Sequence, residues 1–133
     1  MSDRDNGILL LRGGSLGDIS NSSEEERFQN QTIRPILQLQ TDLFVASFKN
    51  YIKKHKNEFL LLTVEKKLLY IENAIQKDIK YRNALKGMIM GWFTLEEFEN
   101  YTQNSSNLNK RMMNLLIEIL KNNVQLLDTD SNQ

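Results

Sequence analysis

The chain of 133 residues contains no cysteine and one histidine. Without cysteine it forms no disulfide, has no thiolate nucleophile and offers no thiolate ligand for zinc. The histidine lies in the sequence Lys53-Lys54-His55-Lys56, a cationic setting that disfavours a metal ion and indicates a solvated helix end. A serine–histidine–aspartate triad would have to use this residue. We therefore predict no catalytic residues, no metal site and no cofactor, and the sequence favours a non-enzymatic protein.

No apolar run in the chain approaches the length of a membrane helix. Residues 8–11 form a run of four apolar residues, whereas a membrane helix needs roughly 20. Asp3 and Asp5 precede this run, at the place where a secretory signal peptide carries positive charge. We therefore expect no membrane partner and no secretory signal, and a soluble protein located in the cytoplasm.

The formal net charge is zero, but the charges are unevenly distributed along the chain. Residues 49–86 carry ten basic and four acidic residues, a net charge of +6, while residues 1–30 and 94–133 each carry six acidic and three basic residues. Neutralisation within the folded chain explains this pattern more simply than a nucleic-acid surface does, since a neutral protein attracts nucleic acid weakly. Nucleic acid is therefore the least favoured partner.

Apolar residues repeat at three- and four-residue steps over most of the chain, which is the spacing of amphipathic helices. No segment alternates between apolar and polar residues as a strand does. We predict an all-α fold, a small helical bundle of four to five helices. We also predict a flexible leader at residues 1–22, a single helical domain at residues 23–127 and a disordered tail at residues 128–133.

The first helix is expected to be long and kinked by proline. Ser23 and Glu26 have the spacing of a capping box, which predicts a start at Ser23, and the apolar pattern continues to Lys56. Pro35 lies inside this pattern and has no amide hydrogen, so it should kink the helix. The helix would be about 50 Å long. Its apolar stripe is wider than two short helices would cover, which favours association with another chain.

Local signals place the remaining helices at residues 64–77, 79–91, 95–103 and 107–126. Thr63 and Asp78 have the chemistry of N-caps. The alternative to a cap at Asp78 is one bent helix over residues 64–91.

The strongest local signal begins at Phe93. The sequence Thr94-Leu95-Glu96-Glu97 matches a capping box, and Phe93 and Phe98 have the spacing of a hydrophobic staple. We expect a helix start at Thr94, and Phe98 in the core. Gly87 and Gly91, four residues apart, favour close packing of two helices or, at Gly91, simply the end of a helix.

A polar cluster surrounds the proline of the first predicted helix. Asn30, Arg34 and Gln38 follow one another at four-residue steps, which places them on one helix face. Arg82 and Asn83 lie in the third predicted helix. Amide and guanidinium groups bind anions and backbone carbonyls, so these five residues form a possible ligand or partner face. A solvated surface is the simpler interpretation of the same pattern.

Short motifs are spread over residues 28–120: Phe28–Pro35, Leu39–Leu43, Tyr70–Glu72, Lys77–Asp78, Arg82–Asn83, Gly87, Gly91 and Phe93–Glu97. Together they resemble a group of short bacterial proteins of uncharacterised function. Members of that group look all-helical, so the resemblance implies a recurring helical fold. Some members carry the label glyoxalase. The resemblance implies no catalytic residue here, because glyoxalases bind metal through histidine and glutamate on paired βαβββ units.

These observations favour a non-enzymatic helical protein that acts by association, either with itself as a homo-oligomer or with a protein partner. The alternative is a small-molecule or anion-binding protein, or an enzyme, that uses the face of Asn30, Arg34 and Gln38. A further alternative is a nucleic-acid accessory protein that uses the basic residues 49–86. The sequence identifies no particular ligand.

Overall fold

The computed structural model describes residues 2–13 and 23–128, where all regular structure is helical and no strand occurs. The elements in chain order are α1 (Asp3–Arg12), α2 (Glu24–Phe28), a π turn (Gln29–Ile33), α3 (Arg34–Leu39), α4 (Thr41–Lys54), a 3-10 turn (Glu58–Leu61), α5 (Val64–Lys77), α6 (Ile79–Met90), α7 (Leu95–Gln103), α8 (Ser105–Asn122) and α9 (Val124–Leu127). The all-α prediction is confirmed, and the prediction of four to five helices is wrong. In these ranges no helix combines the length and apolar character that crossing a bilayer requires.

The single long, proline-kinked first helix is also wrong, because the segment is divided in two places. A π turn, in which the Arg34 amide donates to the Gln29 carbonyl, precedes Pro35. Pro35 then lies in the first turn of α3, where a missing amide hydrogen is tolerated. The second division is at Gln40, whose φ of −103° and ψ of 12° interrupt the helix before α4. Residues 24–54 therefore form a series of shorter helical elements instead of one long α-helix.

Residues 3–12 form a helix, which differs from the flexible leader expected over residues 1–22. The Ser2 hydroxyl accepts a hydrogen bond from the Asp5 amide at 3.1 Å and begins α1. Gly13 ends it with a φ of 77°, a conformation that glycine adopts without steric cost. Residues 14–22 of the expected leader and residues 129–133 of the expected tail lie outside the described residues.

The core lies among α3, α4, α5, α6 and α8. Phe48 of α4 is fully buried, and aromatic rings from three other elements surround it. Six apolar residues of the predicted first helix are also buried, whereas Leu39 and Leu43 are 41% and 49% exposed; the buried six are Ile33, Ile36, Leu37, Phe44, Phe48 and Ile52. Most of the apolar stripe is therefore covered within one chain, which weakens the expectation of association that rested on its width.

Four predicted N-caps are confirmed. Each cap side chain accepts a hydrogen bond from the amide three residues later: Ser23 from Glu26, Thr63 from Lys66, Asp78 from Tyr81 and Thr94 from Glu97. Asp78 also separates α5 from α6, so residues 64–91 form two helices rather than one. At Thr94 the capping box is complete, because Glu97 accepts from the Thr94 amide in return.

The expected burial of Phe98 is wrong, since its side chain is 45% exposed. The buried ring is that of Phe93, which packs edge-on against Phe28 at a centroid distance of 5.4 Å. The ring of Tyr101 lies 5.6 Å from that of Phe93 and 6.2 Å from that of Phe98. Phe93 therefore joins α7 to α2, whereas Phe98 contributes less to the core.

Gly87 is not a point of close helix packing. A Cβ atom added there would have no neighbour within 4 Å, so the expected close approach of two backbones is wrong at this position. We expect Gly87→Ala to raise the free energy of unfolding by about 0.4–1 kcal/mol, because alanine loses less conformational freedom in a helix. Urea denaturation of wild type and variant measures this, and a loss of stability would contradict the open environment.

Candidate functional site

Helix α1 places two of its four charged residues inward and its three leucines outward. Asp5, Ile8 and Arg12, spaced three and four residues apart, form the buried face. Leu9 and Leu11 lie on either side of that face, and Leu10 lies opposite it, 85% exposed. A surface helix normally has the reverse arrangement. This inverted helix defines the candidate site.

A buried ion pair attaches the carboxyl end of α1 to α7. The Arg12 guanidinium donates from Nη1 to Glu97 Oε1 at 2.6 Å and from Nη2 to Glu97 Oε2 at 2.8 Å. This two-point geometry makes the pair stronger and more directional than a single contact. Glu97 also accepts from the Thr32 hydroxyl at 2.7 Å and from the Thr94 amide at 2.8 Å. The carboxylate is therefore saturated by donors from three elements.

Arg12 also donates to two backbone carbonyls. Nη2 donates to the Gln31 carbonyl at 3.1 Å, the carbonyl that an amide at position 35 would have satisfied in a regular helix. Nη1 donates to the Trp92 carbonyl at 3.3 Å, beyond the end of α6. Pro35 has no amide hydrogen to offer the Gln31 carbonyl, and Arg12 donates to that carbonyl.

The amino end of α1 makes a second polar attachment to the start of α7. The Asp5 carboxylate accepts from the Leu95 amide at 3.2 Å, which places a negative charge at the positive end of α7. Arg4 donates to the Gly91 carbonyl at 3.0 Å. Charged contacts at both ends therefore orient α1 and leave its leucines outward.

The environment of Glu97 lowers its pKa. Burial alone would raise the pKa, but hydrogen bonds from Arg12, the Thr94 amide and Thr32 outweigh burial, and the pKa lies below the ordinary value of 4.5. The carboxylate therefore remains ionised as the pH falls towards 4.5, and Arg12 keeps its counter-charge.

This lowered pKa predicts acid sensitivity. The stabilisation that the ionised Glu97 gives the fold is fully present above the ordinary pKa of 4.5. This stabilisation is lost as the pH falls through the lowered pKa of the folded state. The free energy of unfolding should therefore fall more steeply from about pH 5 to about pH 3 in wild type than in Glu97→Gln. Urea unfolding at each pH measures both slopes. Glu96→Gln, at the exposed neighbour, should keep the wild-type slope, and parallel slopes for wild type and Glu97→Gln would contradict the assignment.

A groove with a volume of about 1270 Å³ lies between α1, α2 and α7. Leu9 of α1 and Leu95 of α7 line it, together with Phe28 and Leu108. The charged lining residues are Asp5, Glu24, Glu25, Arg27, Glu96 and Glu97. The groove is therefore acidic, with apolar side chains from the helices on its two sides.

Glu25 fixes α2 to the start of α8 beside this groove. Its carboxylate accepts from the side-chain amides of Asn104 at 2.8 Å and Asn107 at 3.3 Å. Arg111 Nε lies 3.4 Å from the same carboxylate. The hydrogen bond from Asn104 is the largest influence on Glu25, and its pKa is lowered. Polar side-chain contacts, in addition to apolar packing, therefore hold this side of the groove in place.

The five residues predicted as a ligand or partner face divide into two groups. Arg34 Nε donates to Asn30 Oδ1 at 3.0 Å, and Gln38 lies exposed on the following helix α3. Arg82 of α6 instead donates to the Gln76 carbonyl at 3.4 Å, with exposed Asn83 beside it. In the described part of the chain no hydrogen bond or ion pair links the two groups, and none of the five lines the groove. A role for them stays a prediction.

The basic region 49–86 contains a cluster of aromatic residues as well as exposed lysines. Tyr51 stacks against His55 at 4.0 Å and Tyr81 at 4.4 Å, and its hydroxyl donates to Asp78 at 2.9 Å. Burial and the hydrogen bond to Asp78 raise the pKa of Tyr51, so the hydroxyl stays protonated. Lys67 is buried and pairs with Asp128 at 2.8 Å. Part of the positive charge is therefore used within the fold.

Two further arrangements bear on catalysis. Over residues 2–13 and 23–128, no three histidine or carboxylate side chains are grouped closely enough to hold a metal ion.

The stretch Gly13-Gly14-Ser15-Leu16-Gly17 has the Gly-x-Ser-x-Gly spacing of a nucleophile turn. In hydrolases that turn connects a strand to a helix, whereas here the stretch follows helix α1, and all of it after Gly13 lies outside the described residues. A helix rather than a strand therefore precedes this motif, so it does not indicate a hydrolase nucleophile.

Comparisons with family models, with curated proteins and with solved structures found no match to this chain. The resemblance to short helical bacterial proteins therefore stays a prediction.

The sequence contained two signals for α1 that pattern reading missed. Ser2 and Asp5 have the spacing of a helix start, and Gly13 is a typical helix end. The run of leucines in between did not show which face is buried. Arg12 and Glu97, the centre of the site, are 85 residues apart, and no local pattern connects them.

Proposed function

We propose that the protein acts by association rather than by catalysis, and that it assembles with itself through the leucine side of α1. The observation that supports this proposal is the inverted helix. Leu9, Leu10 and Leu11 face away from the core, while Asp5 and Arg12 face it. Outward leucines held in place by buried charges form an apolar surface of the kind that marks protein contacts.

Covering these leucines provides the driving force for assembly. Burying one leucine side chain contributes about 1.5–3 kcal/mol. Leu10 is 85% exposed, and Leu95, which lines the groove with Leu9, is 60% exposed. Several such side chains buried at one contact offset part of the entropy that two chains lose on association. α1 is also already folded and docked, so assembly does not have to order it.

A single exposed charge should disrupt this assembly. We expect Leu10→Lys to weaken self-association at least tenfold, which corresponds to about 1.4 kcal/mol. Sedimentation velocity over a range of concentrations measures the mass, which for one chain is 15.6 kDa. The matched control is Ile79→Lys on α6, where the native side chain is 63% exposed, and it should assemble as wild type does.

Two outcomes would contradict the proposal. In one, wild type sediments as a single chain at every concentration. In the other, Leu10→Lys assembles as strongly as wild type, which would place the contact elsewhere. Two alternatives stay predictions: anion binding at Asn30, Arg34 and Gln38, and nucleic-acid binding at residues 49–86. The sedimentation experiment does not test either of them.

A further inference from the structure

We infer that the groove beside α1 binds a basic corner on a second copy of this chain. The basic corner is the stretch of residues 54–66, which connects α4 to the first turn of α5. This inference rests on the proposed self-association and specifies its geometry. Two different surfaces meet in it, rather than one surface pairing with itself.

The groove side of this contact is acidic. Five carboxylates and one guanidinium line the groove. Arg12 neutralises Glu97, and Glu25 is held by Arg111. Two other lining carboxylates, Glu24 and Glu96, are exposed and form no ion pair within the described ranges. The groove therefore offers two unpaired carboxylates, against the one guanidinium of Arg27, beside the apolar side chains of Leu9 and Leu95.

The corner side of the contact is basic and apolar. Leu60, Leu61 and Val64 are exposed, and Leu61 is 88% exposed. The flanking lysines Lys54, Lys56 and Lys66 are also exposed, against two exposed glutamates, Glu58 and Glu65. The corner thus presents apolar side chains among three lysines and two glutamates, a net charge of +1, whereas the groove presents them among carboxylates that outnumber its one guanidinium.

The two surfaces complement each other in charge and in apolar character. Opposite charges steer two chains together and fix their register, while like charges facing each other oppose the contact. A groove pressed against a second groove would bring Glu24 and Glu96 of both copies together. The volume of about 1270 Å³ also exceeds the roughly 300–1,000 Å³ of small-molecule pockets. A protruding segment of another protein chain therefore fits the groove better than a small ligand does.

Mixing two variants tests the inference. Leu95→Lys places a cation in the groove and leaves the corner intact, and Leu61→Glu places an anion on the corner and leaves the groove intact. We expect each variant alone to sediment with the mass of one chain, 15.6 kDa. Mixed in equal amounts, they should form a pair of twice that mass, because one intact groove meets one intact corner. Restored pairing also shows that both variants are folded.

The controls repeat the same charges at exposed positions outside both surfaces, as Ile79→Lys and Leu69→Glu, and both should assemble as wild type does. The inference is overturned if Leu61→Glu alone assembles like wild type. It is also overturned if the mixture keeps the mass of one chain while both variants retain the wild-type circular dichroism spectrum. Self-association itself fails on a separate result, a single-chain mass for wild type, so the two failures are distinguishable.

Discussion

Replacing Glu97 with alanine is expected to lower the free energy of unfolding by about 3–5 kcal/mol. The substitution leaves the Arg12 guanidinium, whose side chain is 2% exposed, without its counter-charge. It also removes the acceptor of the Thr94 amide and the partner of the Thr32 hydroxyl. Arg12 then keeps only its two carbonyl acceptors, and a buried polar group left without a partner costs more than the intact hydrogen bond contributed. Chemical denaturation followed by circular dichroism measures the change.

The matched control is Glu96→Ala at the neighbouring position. Glu96 is exposed and forms no ion pair among the described residues, so its replacement should change the free energy of unfolding by about 0.5 kcal/mol or less. The double variant Arg12→Met/Glu97→Met should lose less stability than its two single variants together, because both members of a buried pair are then removed. Equal losses for Glu96→Ala and Glu97→Ala would show that the ion pair does not hold α1.

Replacing Phe48 with alanine is expected to lower the free energy of unfolding by about 3–5 kcal/mol. Phe48 is fully buried, and the ring centroids of Tyr51, Phe59 and Tyr70 lie 5.6, 6.0 and 6.3 Å from its own. The variant loses the transfer free energy of the ring and leaves a cavity where α4, α5 and the 3-10 turn meet. Denaturation by urea measures the loss.

Phe98→Ala provides the comparison for Phe48→Ala, since it removes the same ring from a half-exposed position on α7. Its expected loss is about 1 kcal/mol, because only part of the ring leaves a buried environment. A loss at Phe98 as large as that at Phe48 would mean that Phe98 is buried in solution and that the capping-box helix packs differently.

The helix caps were predictable because their chemistry is local. A threonine or aspartate whose side chain reaches the amide three residues later needs no other part of the chain. Thr63, Asp78 and Thr94 therefore marked the starts of α5, α6 and α7 correctly. The packing of Phe93, predicted as the staple partner of Phe98, was not predictable in the same way. Phe93 packs on Phe28, and that contact depends on how α2 lies against α7.

The candidate site was missed for a tertiary reason. Helical periodicity assigns apolar residues to the buried face, and α1 does the opposite, because Arg12 finds Glu97 and Asp5 finds the amide of Leu95. Those partners lie more than 80 residues away. The polar residues around Pro35 were more conspicuous in sequence. The groove beside α1 forms only when α1 packs against α2 and α7, so the sequence alone does not show it.

Hydrogen exchange at two protein concentrations tests most directly whether the leucine side of α1 is buried between chains. The amides of α1 and of the first turn of α7 should exchange more slowly at a concentration where the chain assembles than at one where it is a single chain. Amides around Asn30, Arg34 and Gln38 should exchange equally at both. Unchanged exchange in α1, or slower exchange confined to residues 30–38, would contradict assembly through this helix.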